Sequence, residues 1–67
     1  MQLNETQKEI ISLVIDGKSN KQIAEELNYS VDNVKKNLKY CFKYFKVNDR
    51  VSLVREALLL LHYDMNT

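Results

Sequence analysis

Two serines set the frame of this chain. Ser19 is followed three residues on by Gln22, and Ser30 opens the run Ser30-Val31-Asp32-Asn33 shortly after. A serine just before a helix accepts a hydrogen bond from the main-chain N–H three residues on, and a glutamine there can return one. Starts this close together leave room for one short helix and a tight turn. Asn28 is the expected stop, because asparagine tolerates the left-handed conformation that ends many helices. A short helix, the turn Asn28-Tyr29-Ser30 and a second helix make a helix-turn-helix candidate.

The rest of the chain agrees with an all-α fold. Its 67 residues include no proline and one glycine, whereas an all-β domain of this size needs many turn residues. One domain over residues 1–67 is expected, with helices over about 5–16, 20–27, 31–45 and 49–62. Asn4 and Gln7 open the first, whose apolar side is Ile10, Ile11, Leu13 and Val14, and Gly17 closes it. In the second, Ile23, Ala24 and Leu27 point inward. In the third, Val34, Leu38, Cys41 and Phe45 form one stripe widened by Phe42. The fourth begins near Asn48 and Asp49. Its stripe Val51, Val54, Leu58 and Leu61 is expected to face inward, with Leu53, Ala57 and Leu60 as a second, spare stripe.

Net charge is only +1, but it is unevenly spread. Residues 1–30 hold three lysines against five acids, and residues 31–46 hold Lys35, Lys36, Lys39, Lys43 and Lys46 against Asp32 alone. At about 100° per residue, the face opposite the apolar stripe carries Asp32, Lys36, Lys39 and Lys43, flanked by Lys35 and Tyr40. In a helix-turn-helix the second helix enters the major groove, where lysines meet guanine acceptors or nearby phosphates. Lys35, Lys36 and Lys39 are the right cargo, with Asn33 and Asn37 as polar contacts. Both helix starts, at Ser19 and Ser30, offer main-chain N–H groups to phosphates. Tyr40 and Lys43 are placed to reach a phosphate. A lysine-rich face is also what an ordinary solvated helix shows.

These residues resemble the LuxR/FixJ/GerE-type helix-turn-helix domain, also seen in NarL-type response regulators. That family usually opens Leu-Thr-x-Arg-Glu-x-Glu-Val-Leu, and Leu3-Asn4-Glu5-Thr6-Gln7-Lys8-Glu9-Ile10-Ile11 is similar. Its Gly-x-Ser-Asn-Lys-Glu-Ile-Ala-x-x-Leu signature is matched closely by Gly17-Lys18-Ser19-Asn20-Lys21-Gln22-Ile23-Ala24-Glu25-Glu26-Leu27. Ile-Ser-x-x-Thr-Val-Lys-x-His is met by Tyr29 to Asn37, and Gly-Val-x-x-Arg by Lys46-Val47-Asn48-Asp49-Arg50. The chain departs from the pattern where Thr6-Gln7 replaces Arg-Glu, Asn37 replaces histidine and Lys46 replaces glycine.

The resemblance implies a bacterial transcription regulator that binds specific double-stranded DNA. Lys35, Lys36 and Lys39 then face the major groove, and Asn20, Lys21, Ser30 and Asn33 lie along the backbone. It implies homodimerisation through the fourth helix, with Arg50, Leu53, Ala57 and Leu60 in the interface, and RNA polymerase as a further partner. The chain reads equally as a regulator on its own or as the output end of a longer one.

Other readings are weaker. A sigma-factor region-four domain has a similar shape but usually lacks the Val-x-x-Arg start of the fourth helix. A protein-interaction module that pairs with or sequesters a regulator suits the apolar fourth helix and the low net charge. An enzyme is not expected: His62 has no partner or pocket in view. No cofactor, metal or small-molecule ligand is expected, since Cys41 and His62 show no ligand spacing. Cys41 reads as a small core residue rather than a redox sensor. A lone cysteine and the lack of a secretory signal fit the cytoplasm. The longest apolar run, Ala57 to Leu61, is too short to span a bilayer.

Overall fold

The computed structural model describes residues 2–65, and side chains over residues 2–60. Four helices and no strand lie within the described residues: α1 (Glu5–Ile15), α2 (Asn20–Leu27), α3 (Val31–Phe45) and α4 (Arg50–Met65). The first ends a residue before its expected limit, and the fourth starts a residue late and runs further. α2 and α3 match their expected spans.

The helix starts are capped as the sequence suggests. Asn4 Oδ1 accepts the Gln7 N–H at 2.8 Å, and Gln7 Oε1 accepts the Asn4 N–H at 3.0 Å. Ser19 and Gln22 repeat this exchange at 3.2 and 2.9 Å. Ser30 Oγ accepts the Asn33 N–H at 3.0 Å, and Asp49 Oδ1 accepts the Ser52 N–H at 2.7 Å. Each cap satisfies a donor that has no partner inside its helix, worth about 1 kcal/mol.

The first three helices end alike. After α1 the Gly17 N–H meets the Val14 carbonyl and the Lys18 N–H meets that of Leu13. The same pair of bonds follows α2 at Asn28 and Tyr29, and α3 at Lys46 and Val47. This is the Schellman arrangement, which requires one left-handed residue. Gly17 (φ 85°), Asn28 (φ 60°) and Lys46 (φ 56°) supply it. Glycine does so freely and asparagine nearly so. Lysine does so at a cost of about 1–2 kcal/mol, because its Cβ crowds the following carbonyl.

The core lies between α3 and the other helices, all of which pack on it. It contains Ile10, Ile11 and Val14 of α1, Ile23 and Ala24 of α2, and Val34, Leu38 and Cys41 of α3. α4 adds Leu53 and Ala57. The expected inner faces of α1, α2 and α3 are therefore observed.

The expected face of α4 is reversed except at Val54, which is half-buried against the core as expected. Leu53 is 0% and Ala57 2% exposed, while Val51 is 79%, Leu58 47% and Leu59 56% exposed. Leu60, at 40%, is the one member of the supposed spare stripe that keeps an outer surface. Leu61 and His62 lie outside the described side chains. The cause of the reversal sits at the start of the helix. Arg50 Nη1 donates to Asn20 Oδ1 at 2.7 Å, and Nη2 donates to the Lys18 carbonyl at 2.8 Å. α4 is apolar on most sides, with Ser52, Arg55 and Glu56 as its one polar face, so periodicity admits more than one rotation and this two-point anchor helps to fix it.

Candidate nucleic-acid interface

α2 and α3 form a helix-turn-helix pair joined through left-handed Asn28. The Schellman bonds leave one extended step before Ser30 caps α3. Thr6 Oγ1 and the Tyr29 hydroxyl, 3.3 Å apart, tie this turn to α1. Tyr29 is thus an exposed surface contact. Val34 and Leu38 share one buried core with Ile23 and Ala24 where α2 and α3 pack, which turns the opposite side of α3 to solvent.

That outer side carries the charge. Lys35, Lys36, Lys39, Lys43 and, after the helix, Lys46 are all exposed. Among the described residues the one ion pair is Lys8 with Glu5 on α1, 3.5 Å apart. Among the described residues no lysine of α3 is paired with a carboxylate, so a polyanion would find this charge unopposed by them. Lys21 is exposed at the start of α2. The amides of Asn20, Lys21, Val31 and Asp32 occupy helix-start positions that lack an intrahelical acceptor. Ser19 and Ser30 use their oxygens as cap acceptors, which leaves each hydroxyl hydrogen available to a phosphate.

Four expected site residues are engaged elsewhere. Asn37, expected to contact bases, is half-buried. Its Nδ2 donates to the Asn33 carbonyl at 2.9 Å and to Asn33 Oδ1 at 2.8 Å. Its Oδ1 accepts from Gln7 Nε2 at 3.4 Å, so no donor remains for a base. Tyr40, expected at a phosphate, donates its hydroxyl to the Gln2 carbonyl at 2.6 Å. Asn20 has its side-chain oxygen occupied by Arg50, so only its nitrogen and main-chain amide face outward. Arg50, expected between two copies, is spent on this intrachain link. Leu53 and Ala57 are corrected with it, since buried side chains have no surface left for a partner. Lys35, Lys36, Lys39, Lys43, Lys21 and Asn33 stay accessible.

Two features escaped the sequence reading. Gln7 is a cap, as its spacing from Asn4 predicts, and it is also a buried link from α1 to α3. A shallow apolar groove on α4, lined by Val51, Val54, Arg55, Leu58 and Leu59, replaces the supposed outer stripe. Ala57 was the available signal, because a small residue among leucines suits the point where helices approach closely.

The remaining reactive group is quiet. Cys41 is fully buried, and burial pushes its thiol up to about 11. It is a protonated core residue at neutral pH, without the thiolate a redox sensor needs. Tyr44 packs edge-on against Phe45, ring centres 4.9 Å apart. No helix among the described residues is long and apolar enough to cross a membrane.

No curated protein and no solved structure is similar enough to this chain to count as a match. The GerE family model, described as bacterial regulatory proteins of the luxR family, matches residues 1–57, most of the chain. With the capped helix pair and the unopposed lysines already in place, that match settles the family. The chain belongs to the luxR family of bacterial regulatory proteins, a family of DNA-binding helix-turn-helix regulators.

Proposed function

We propose that this protein is a sequence-specific double-stranded DNA-binding regulator with α3 in the major groove. The observation that carries this is the row of exposed α3 lysines, which have no carboxylate partner among the described residues, on the helix after the tight turn. Lys35, Lys36 and Lys39 address base edges and flanking phosphates. Lys43, Lys21 and the amides at the starts of α2 and α3 address the backbone. Asn37 is withdrawn from the base-contact set, and Tyr40 from the phosphate set.

Dimerisation through α4 is part of the proposal, on a different surface from the one first expected. Val51, Leu58 and Leu59 are apolar, exposed and contiguous with Val54. Pairing these faces between two copies would set two α3 helices on half-sites about one DNA turn apart. The same groove favours the second reading, a module that holds another regulator without touching DNA.

Salt separates the two readings. If about five phosphates are neutralised, the DNA reading expects log affinity to fall with log salt at a slope of about −4.5. Replacing Lys36 and Lys39 by alanine should weaken binding and reduce that slope by about 2. Duplex affinity no better than millimolar at low salt, indifferent to these substitutions, would sink it and leave the interaction module. Sedimentation of wild type against Leu58→Asp, with and without duplex, tests the pairing.

A further inference from the structure

Three side-chain amides join the cap of α1 to the exposed first turn of α3. The Asn4 N–H donates to Gln7 Oε1 at 3.0 Å. Gln7 Nε2 donates in turn to Asn37 Oδ1 at 3.4 Å. The Asn37 nitrogen therefore points back along α3 and donates to both the carbonyl and the Oδ1 of Asn33. The oxygen end of the Asn33 amide is thus turned toward Asn37, with one of its two lone pairs engaged, and Asn33 itself is exposed. An amide has one accepting end and one donating end, so fixing the first orients all three. The end of Asn33 that faces away from Asn37 is its Nδ2.

We infer that the α1 cap, acting through Gln7 and Asn37, fixes Asn33 as a hydrogen-bond donor toward DNA. The inference rests on the placement of α3 in the groove. Gln7 and Asn37 are positioning residues and touch no DNA. The ligand chemistry is an acceptor atom, either a phosphate oxygen or a base acceptor such as purine N7, guanine O6 or thymine O4. A free asparagine can turn to suit donors and acceptors alike. A held one rejects the amino groups of adenine and cytosine, so the relay makes Asn33 selective.

Two substitutions isolate the effect. Gln7→Glu keeps the capping exchange, since glutamate serves that position as well as glutamine. It shows Asn37 only oxygen, so the relay loses its direction. Asn33→Asp keeps the inner acceptor and removes the outward donor. Asn33→Asp should unfold near wild type, and Gln7→Glu, which places a carboxylate at a buried site, should remain folded at some cost in stability. On a duplex selected by the wild-type chain from a random library, each should lose roughly tenfold in affinity.

Gln7→Glu combined with Asn33→Ala should bind no worse than Asn33→Ala alone, because no donor remains to be misdirected. Lys39→Ala should add its own loss in either background. Equal losses on selected and scrambled duplexes assign the acceptor to a phosphate. A loss confined to the selected duplex, with relaxed choice at one base pair, assigns it to a base.

Full additivity of Gln7→Glu with Asn33→Ala overturns the inference, as does unchanged binding by Gln7→Glu. In the free protein, an Asn37 side-chain amide that exchanges hydrogen at the solvent rate by NMR overturns the relay alone. A wild-type chain that selects no duplex at low salt overturns the DNA reading, and this inference with it.

Discussion

α3 and α4 are nearly equal in length, with 15 and 16 residues, yet they are oriented in different ways. α3 confines its apolar residues to one side, so burying Val34, Leu38 and Cys41 leaves a single possible outer face. The lysines are outside because nothing else could be. α4 has leucine or valine on most sides, and hydrophobicity alone would accept several rotations. Arg50, held by Asn20 and the Lys18 carbonyl, selects the one that buries Leu53 and Ala57. Periodicity orients a helix only when its polar residues can veto the alternatives.

The largest test of this contrast lies within α4. Leu53→Ala should cost about 2–5 kcal/mol of stability. Leu58→Ala should cost under about 1 kcal/mol, because it is already half exposed. Chemical denaturation of the two variants compares them directly, and the opposite ranking would restore the first-expected rotation. Next comes the anchor. Arg50→Ala should cost about 1.5–3 kcal/mol, the range for charged hydrogen bonds. Arg50→Lys should not recover it, because an ammonium cannot fork to two acceptors the same way.

A smaller effect is expected at the end of α3. Lys46→Gly should raise stability by about 1 kcal/mol, as relief of the left-handed strain outweighs the added chain entropy. Thermal melting measures it, and a lower melting temperature would show that the strain is not there.

The smallest effect concerns the start of α4. Hydrogen bonds from Ser52, with help from nearby Arg55, hold the Asp49 carboxyl below its usual range. A lowered folded value means stability that is fully present above the unfolded pKa of about 3.9. It is lost as pH falls through the lowered value. Asp49→Asn should flatten the pH dependence of stability in that acidic window and leave it unchanged near neutrality. Urea titrations at several acidic pH values would check this.

Much of the site could be read before any coordinates. Ser19, Ser30 and Asn28 mark the helix pair through bonds that span a few residues, and the charge of α3 follows from its spacing. Asn37, Tyr40 and Asn20 could not be placed in the same way. An amide or a phenol on an outer or flanking position can bond solvent, DNA or the chain itself. Which one it chooses depends on what another helix brings near. Gln7, Gln2 and Arg50 are those neighbours, and each comes from a distant part of the chain.

The caps, the left-handed stops at Gly17 and Asn28, the inner faces of α1 to α3 and the basic outer face of α3 are legible from the order of residues alone. All of these rest on main-chain bonds between near neighbours or on a clear split between apolar and charged residues. The rotation of α4 and the direction of the Gln7–Asn37–Asn33 amides are set only when the helices pack together. Those depend on hydrogen bonds across about thirty residues of sequence, made between groups that have several acceptable partners until folding leaves them one.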